Sequence, residues 1–103
     1  MPEAGDVILC KVQFTDTFEV KRRPALVLFK EYGNIVVAGI TSNLAMEGIR
    51  LTRKDGAIKE SVIKLNYIFT ISEAMVGKVL FSLPNGKRKE VFGPMAKKMQ
   101  ALR

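Results

Sequence analysis

The spacing of apolar and polar residues predicts a protein built mainly from short β-strands. Residues 6–14, DVILCKVQF, are rich in the β-branched and aromatic residues that strands favour. Residues 35–40, IVVAGI, are apolar on both faces and predict a central strand. The predicted strands are residues 6–14, 24–30, 35–40, 49–52, 57–65, 78–83 and 87–92.

Turn-forming residues separate these strands. Gly33 and Asn34 can adopt positive φ angles and predict a tight turn at residues 31–34. The Asp-Gly step at 55–56 and the Pro-Asn-Gly sequence at 84–86 are typical of hairpins. The polar, charged segment 15–23 is interpreted as a loop.

Helical structure is predicted in two places. Segment 66–77 is ambiguous and favours a strand followed by a short helical turn that begins after Ser72. Near the end of the chain, Gly93 and Pro94 suit the cap and the first position of a helix. Four apolar residues at helical spacing are interpreted as core packing: Phe92, Met95, Met99 and Leu102.

Length and strand pattern together predict a single domain covering residues 1–103. Several short antiparallel strands followed by one helix indicate, at this length, a strongly bent sheet or a partial barrel.

Composition limits the chemistry. Lys and Arg total 17 and Asp and Glu total 10, and this excess of +7 attracts polyanions such as RNA, DNA or acidic protein segments. The chain has no histidine, which excludes Ser-His-Asp and Cys-His catalysis and most zinc sites. The single cysteine, Cys10, fits a reducing compartment. With no secretory signal and no apolar run of ~20 residues, the expectation is a cytoplasmic protein without a membrane segment.

Three consecutive cations, Lys21, Arg22 and Arg23, precede Pro24 and an apolar strand. Pro24 fits the first position of a strand, where its missing N–H does little harm. The cations are either a solvated turn or a binding surface for an anion, and the pattern alone leaves both interpretations open.

Three segments in this order resemble the MazF and PemK/Kid family, the ribonuclease toxins of type II toxin–antitoxin pairs. They are GDVILCKVQFTD at 5–16, KRRPALVL at 21–28 and IVVAGITSN at 35–43. Residues 56–71 also resemble a later family segment. The ordered set carries the resemblance, because no single piece is specific.

The resemblance implies a mainly β (α+β) fold, namely an SH3-like small antiparallel barrel with a C-terminal helix that forms a homodimer. It implies cleavage of single-stranded RNA without a metal or another cofactor. The neighbouring 2′-OH attacks the phosphate and leaves a 2′,3′-cyclic phosphate and a 5′-OH. A flexible acidic antitoxin that covers the RNA site is the implied protein partner.

Carried over position by position, the resemblance assigns catalysis to Arg23 and Thr41. The planar guanidinium of Arg23 can bind two phosphate oxygens, and Thr41 could donate a hydrogen bond to the same phosphate. Asp16 or Glu19 is a candidate general base, and Phe18 could stack on a nucleobase. The candidate substrate-binding residues are Lys21, Arg22, Ser42, Asn43, Asp16, Glu19 and Phe18.

One segment departs from the family pattern. Many members carry Arg-Thr-Ile-Asp where this chain has FTIS at 69–72, and Phe69 and Ser72 cannot replace a cation or a carboxylate. Tyr67 and Phe69 are interpreted as sheet packing. Either the second half of the RNA site is built differently, or activity is weak or absent. The alternatives are therefore a non-catalytic SH3-like module that binds nucleic acid and a barrel that binds only a protein partner.

Overall fold

A computed structural model describes residues 2–13 and 20–103, and within them six strands form one antiparallel sheet that curls into a half-barrel. The strands are β1 Asp6–Gln13, β2 Val20–Glu31, β3 Asn34–Thr41, β4 Ile49–Leu51, β5 Ser61–Ser72 and β6 Val76–Ser82, and helix α1 is Asn85–Met99. Their order in the sheet is β4-β5-β3-β2-β1-β6. The predicted small β-barrel fold with a C-terminal helix is confirmed.

Strands β2 and β3 form a hairpin with a two-residue turn. Glu31 pairs with Asn34, which leaves Tyr32 and Gly33 in the turn with φ angles of 53° and 78°. Positive φ at both central residues matches the twist of the flanking strands. The predicted turn is confirmed, but the prediction of positive φ at Asn34 is wrong, because Asn34 begins β3.

Strand β2 begins earlier than the pattern predicts. The loop predicted over 15–23 is wrong at residues 20–23, which extend β2 and pair with β1. Pro24 therefore lies opposite Leu9 inside the strand rather than at its start. The extension follows from β1, which is long enough to offer a partner to each of these residues. Residues 14–19 lie outside the described part of the chain.

The segment before β5 contains a turn of a different kind from the predicted hairpin. Asp55 closes a 3₁₀ turn at Arg53–Asp55, because its carboxylate accepts hydrogen bonds from the Thr52 amide (2.8 Å) and hydroxyl (3.1 Å). Gly56 follows with φ 114°. Strand β5 consequently begins at Ser61 rather than at residue 57.

Two predictions about helical turns have different outcomes. The short turn after Ser72 is confirmed as a 3₁₀ turn at Glu73–Met75. The hairpin at 84–86 and the strand at 87–92 are wrong, because α1 begins directly after Pro84. Gly93 and Pro94 accordingly lie inside α1 rather than at its start.

Contacts with the rest of the molecule explain why this segment is helical. The Lys87 ammonium donates to the Arg50 carbonyl (2.9 Å), and the Arg88 guanidinium donates to the Ala4 carbonyl (3.0 Å). Val91 is buried against the sheet. Tertiary contacts of this kind regularly override the weak local preference of a short sequence.

Buried apolar residues form two clusters, which lie on opposite faces of the curled sheet. One contains Val7, Leu26, Ala38, Ile40, Leu51, Ile63, Leu65, Leu83 and Val91. The other contains Ile8, Cys10, Ala25, Val27, Ile35, Val37 and Ile71. The middle of β2 therefore contributes to both clusters, whereas residues 21–23 at its beginning are exposed.

The predicted core role of the C-terminal apolar stripe is largely wrong. Met95 packs against the first cluster, but Phe92, Met99 and Leu102 are 72%, 58% and 80% exposed. Val91 is buried and Met95 packs against the first cluster, whereas the rest of the stripe stays largely exposed. No helix in the described residues is both long and apolar enough to cross a membrane.

Candidate functional site

The neighbouring ends of β2 and β3 bring the two predicted catalytic residues to one cavity. Ala25 pairs with Gly39, and continuing this register by two residues places Arg23 opposite Thr41. Both side chains line a cavity of about 310 Å³. Six residues of its lining carry a charge, a hydroxyl or an aromatic ring: Arg23, Thr41, Ser42, Lys64, Tyr67 and Phe69.

The alternation of β2 divides the three predicted cations between two faces. Arg23 and Lys21 share a face with Ala25, whereas Arg22 points to the opposite face. Arg22 pairs there with Lys11 of β1. The structure therefore does not bring Arg22 to the cavity that Arg23 lines.

The backbone at Arg23 is held from the barrel interior. Cys10 lies opposite Arg23, and its Sγ donates a hydrogen bond to the Arg23 carbonyl oxygen (3.5 Å). Burial raises the pKa of the Cys10 thiol, so the sulfur stays protonated near neutral pH. Cys10 thus positions the strand and is no nucleophile.

Thr41 keeps one hydrogen-bonding group available. Its Oγ1 accepts a hydrogen bond from the Asn43 amide (3.1 Å), which uses one lone pair and leaves the hydroxyl proton able to donate. The Asn43 side chain accepts from the Ala45 amide (3.0 Å). Asn43 is therefore engaged in shaping the loop after β3, and Ser42 is the neighbour that lines the cavity.

An irregularity in β5 supplies residues that the sequence analysis missed. Ala38 pairs with Ile68, but Ile40 pairs with Ile63, so residues 64–67 bulge out of the ladder. Bulges of this kind redirect side chains and occur often beside functional sites. Here the bulge brings Lys64 and Tyr67 to the cavity.

Gly39 explains how the bulge fits against β3. A Cβ at this position would lie 2.6 Å from Cδ2 of Tyr67, so the absence of a side chain lets the aromatic ring approach the backbone. The interpretation of Tyr67 as sheet packing is incomplete, because 48% of the residue is exposed. A glycine inside an apolar strand was the sequence signal that pointed to such a close approach.

The remaining predicted residues have mixed placements. Phe69 lines the cavity, whereas Ser72 is exposed at the end of β5, three positions further along the strand. Lys64 provides a cation in addition to Arg23 in the same lining. Asp16, Phe18 and Glu19 lie outside the described residues.

The fold and the cavity define a small half-barrel with a cationic, hydroxyl-bearing cleft at one end. Over residues 3–93 the chain matches the family described as the PemK-like, MazF-like toxin of type II toxin-antitoxin systems. This protein belongs to that family, and the resemblance stated from the sequence is confirmed. Among curated proteins, none matches the sequence.

Solved structures share the fold at low sequence identity. MazF in a MazE-MazF structure from Deinococcus radiodurans is 20% identical with a TM-score of 0.77, and 96% of each chain is covered. The Mycobacterium tuberculosis toxin MazF-mt6 is 19% identical with a TM-score of 0.72, covering 92% of this chain and 96% of that one. A mycobacterial endoribonuclease in complex with its cognate antitoxin is 13% identical with a TM-score of 0.75, covering 96% and 93%.

Proposed function

We propose that this protein is a metal-independent endoribonuclease toxin that cleaves single-stranded RNA. The observation that carries the proposal is the convergence of Arg23 and Thr41 on one cavity in a chain of the MazF-like family. The RNA 2′-OH loses its proton and its oxygen forms a bond to phosphorus. The bond from phosphorus to the 5′ oxygen then breaks, and that oxygen takes up a proton.

Arg23 stabilises the charge that builds up on the phosphate oxygens. Its guanidinium remains protonated at working pH and can donate two parallel hydrogen bonds. One well-placed donor of this kind contributes about 3–4 kcal/mol to transition-state stabilisation. Thr41 donates a hydrogen bond through its hydroxyl to the same phosphate, and Ser42 provides a further hydroxyl. Asp16 or Glu19 remains the candidate for accepting the 2′-OH proton.

Incubation of the purified protein with a long RNA in EDTA tests this proposal. The expected products carry a 5′-OH on one fragment and a 2′,3′-cyclic phosphate on the other. Arg23→Ala protein, prepared in parallel, controls for a contaminating ribonuclease and is expected to lose most of the turnover. RNA that stays intact across varied sequences would contradict the proposal.

A second candidate function is supported by Phe69, which occupies a position where many relatives have a cation. In that case the protein binds nucleic acid without cleaving it, and its affinity falls steeply as salt rises. The same incubation separates the two functions, because this candidate predicts retention of intact RNA on the protein. A protein-binding barrel would retain no nucleic acid even at low salt.

A homodimer is the proposed assembly. Phe29, Phe92 and Met99 are exposed around an apolar groove of about 620 Å³ between α1 and the sheet. Exposed apolar surface of this kind marks interaction sites, and a second copy would cover it. Sedimentation velocity is expected to show a dimer for the wild type and a monomer for Phe92→Ser.

The proposed protein partner is an antitoxin with a flexible acidic segment. The net charge of +7 and the exposed cations Lys21, Arg22 and Arg23 favour such a partner, and the D. radiodurans MazF structure was solved with MazE. Action in the cytoplasm follows from the RNA substrate and agrees with the single thiol. A short neighbouring gene that encodes an acidic tail would support the pairing.

A further inference from the structure

Tyr67 is the most exposed apolar group in the lining of the catalytic cavity, and sheet packing does not account for it. The residue is 48% exposed and lies in an exposed part of β5 that also includes Asn66 and Ile68. Its ring rests near Gly39, and the bulge at 64–67 turns it toward Arg23 and Thr41.

Neighbouring side chains hold the Tyr67 ring in a defined position. The Phe69 ring lies beside it with a centroid separation of 5.2 Å and an interplanar angle of 40°. The Lys64 ammonium lies over the Tyr67 ring, 5.9 Å from its centroid. A ring supported by backbone on one side and by a second ring at its edge loses little conformational freedom when it binds a flat partner.

The cavity has the size and the chemistry for one nucleotide unit. Its volume of about 310 Å³ is at the small end of the range of ~300–1,000 Å³ found for ligand sites. A phosphate bound by Arg23 and Thr41 would place the base attached to the neighbouring sugar beside Tyr67. Aromatic side chains that bind single strands stack on such bases.

We propose that Tyr67 is a stacking platform for an unpaired nucleobase next to the phosphate site, with Lys64 binding a flanking phosphate. This inference rests on the proposed function for the position of the phosphate, but it concerns binding and not cleavage. It implies that the second half of the RNA site is built from a lysine and an aromatic pair, where many relatives use the Arg-Thr-Ile-Asp sequence. The ring face would contact the flat face of an unstacked base and not its hydrogen-bonding edge, so any of the four bases could bind.

The test uses oligonucleotides that cannot react. Single-stranded DNA lacks the 2′-OH, so its affinity for the protein is independent of any cleavage. Oligo-dT and oligo-dA are compared with an abasic deoxyribose-phosphate oligomer of the same length and charge. The wild type is expected to bind the base-bearing oligomers more tightly than the abasic one.

Tyr67→Ala is expected to bind base-bearing oligomers roughly 5- to 150-fold more weakly, the range that stacking of one base supports, and to bind the abasic oligomer as the wild type does. Tyr67→Phe keeps the ring and is expected to stay within about twofold of the wild type. Lys64→Gln is expected to weaken binding to all oligomers equally, because it removes a phosphate contact. Equal urea midpoints for the variants establish that they are folded.

Intrinsic fluorescence gives a second readout that does not depend on a destabilising variant. The chain has no tryptophan and two tyrosines, and the other one, Tyr32, is 94% exposed in the β2–β3 turn. In a Tyr32→Phe protein the emission comes from Tyr67 alone, and we expect oligo-dT to quench it and the abasic oligomer to leave it unchanged.

Several outcomes would overturn the stacking proposal. They are equal affinity of the wild type for base-bearing and abasic oligomers, no binding to any oligomer, or a loss in Tyr67→Phe as large as in Tyr67→Ala. A base preference that depends on Tyr67 in a protein that never cuts RNA would refute the nuclease and support the platform. If the protein cleaves RNA but its preference for base-bearing oligomers does not depend on Tyr67, the nuclease proposal is supported and the stacking proposal is refuted.

Discussion

The chain contains two runs of three consecutive cations, at 21–23 in β2 and at 87–89 in α1, and the fold uses them in opposite ways. In α1, the Lys87 ammonium lies 3.0 Å from a Glu90 carboxylate oxygen and 3.7 Å from one of Asp55. Arg88 donates hydrogen bonds to the carbonyl oxygens of Leu83 and Ala4, each at 3.0 Å. Apart from the Lys87–Glu90 pair inside the helix, these contacts connect α1 to the 3₁₀ turn at Arg53–Asp55 and to the segments next to β1 and β6.

In β2 all three cations are exposed, and the strand divides them between two faces. Arg22 lies opposite Lys11 on one face, an arrangement of like charges that weakens strand pairing. Arg23 lines the cavity on the other face. The role of such a run therefore depends on its geometry: Lys87 and Arg88 bind acceptors that hold α1 in place, whereas Arg23 lines the cavity.

The largest effect is expected when the cavity cation is truncated. Arg23→Ala is expected to lower kcat/KM for RNA cleavage by about 10²- to 10³-fold, the effect of removing one transition-state donor. The urea midpoint should change far less than the activity, because the side chain is exposed and the carbonyl that accepts from Cys10 is retained. Steady-state cleavage of a fluorogenic RNA and equilibrium unfolding measure the two quantities.

Arg22→Ala is the matched control for that measurement. It removes the same charge from the adjacent position but from the opposite face of β2, so cleavage should fall by much less than for Arg23→Ala. Equal losses in the two variants would mean that net charge, and not the position of the guanidinium, determines activity.

Truncating the cation Arg88 of the helical run should lower stability and leave activity unchanged. Arg88→Ala removes the donor to the buried residue Leu83 and to Ala4, and is expected to lower the free energy of unfolding by about 1–3 kcal/mol. The kcat of the fraction that remains folded should be unchanged. Lys89→Ala, an exposed neighbour, should stay within ~0.5 kcal/mol of the wild type. A stability loss of the same size at both positions would remove the distinction.

The pH dependence of stability tests the contribution of Asp55, the partner of Lys87. Burial acts to raise the pKa of Asp55, but hydrogen bonds from Thr52 and the charge of Lys87 outweigh it and place the pKa below its ordinary value. The stabilisation is therefore complete above the ordinary carboxyl pKa of ~3.9 and is lost as the pH falls through the lower, folded-state pKa. Asp55→Asn should show a shallower loss of unfolding free energy below pH ~4.

Salt dependence gives the smallest effect. Lys21 shares the face of Arg23, so Lys21→Gln should weaken RNA binding uniformly across sequences and reduce the slope of log K against log salt by about 0.7. Lys11→Gln, an exposed lysine on the opposite face, should leave the slope nearer to that of the wild type. Filter binding at several salt concentrations measures both slopes, and identical reductions would indicate diffuse attraction.

Much of the fold could be predicted from local sequence, whereas Arg23 and Thr41 were identified as candidates through the family resemblance. The turn at Tyr32 and Gly33 brings the ends of β2 and β3 together, but a register shift between Val27 and Phe29 determines which residues face each other at those ends. Lys64 and Tyr67 could not be predicted in the same way. Their exposure depends on the bulge at 64–67, which separates the part of β5 that pairs with both β4 and β3 from the part that pairs with β3 alone.

The start of α1 illustrates the other limit. Pro84, Asn85 and Gly86 form a locally reasonable hairpin turn, and only contacts made at a distance favour the helix. Lys87 reaches Arg50, and Arg88 reaches Ala4, which lies 84 residues earlier in the chain. A prediction based on neighbouring residues cannot include such distant partners.

The buried thiol of Cys10 offers a natural reporter on the strand that carries Arg23. This sulfur is the single cysteine of the chain, is 1% exposed and donates to the Arg23 carbonyl. A thiol reagent can reach this sulfur only when the strands around it open, so the labelling rate measures the frequency of that opening. A bound ligand that clamps the two strands would slow the labelling, which turns an unremarkable interior atom into an assay for occupancy of the cavity.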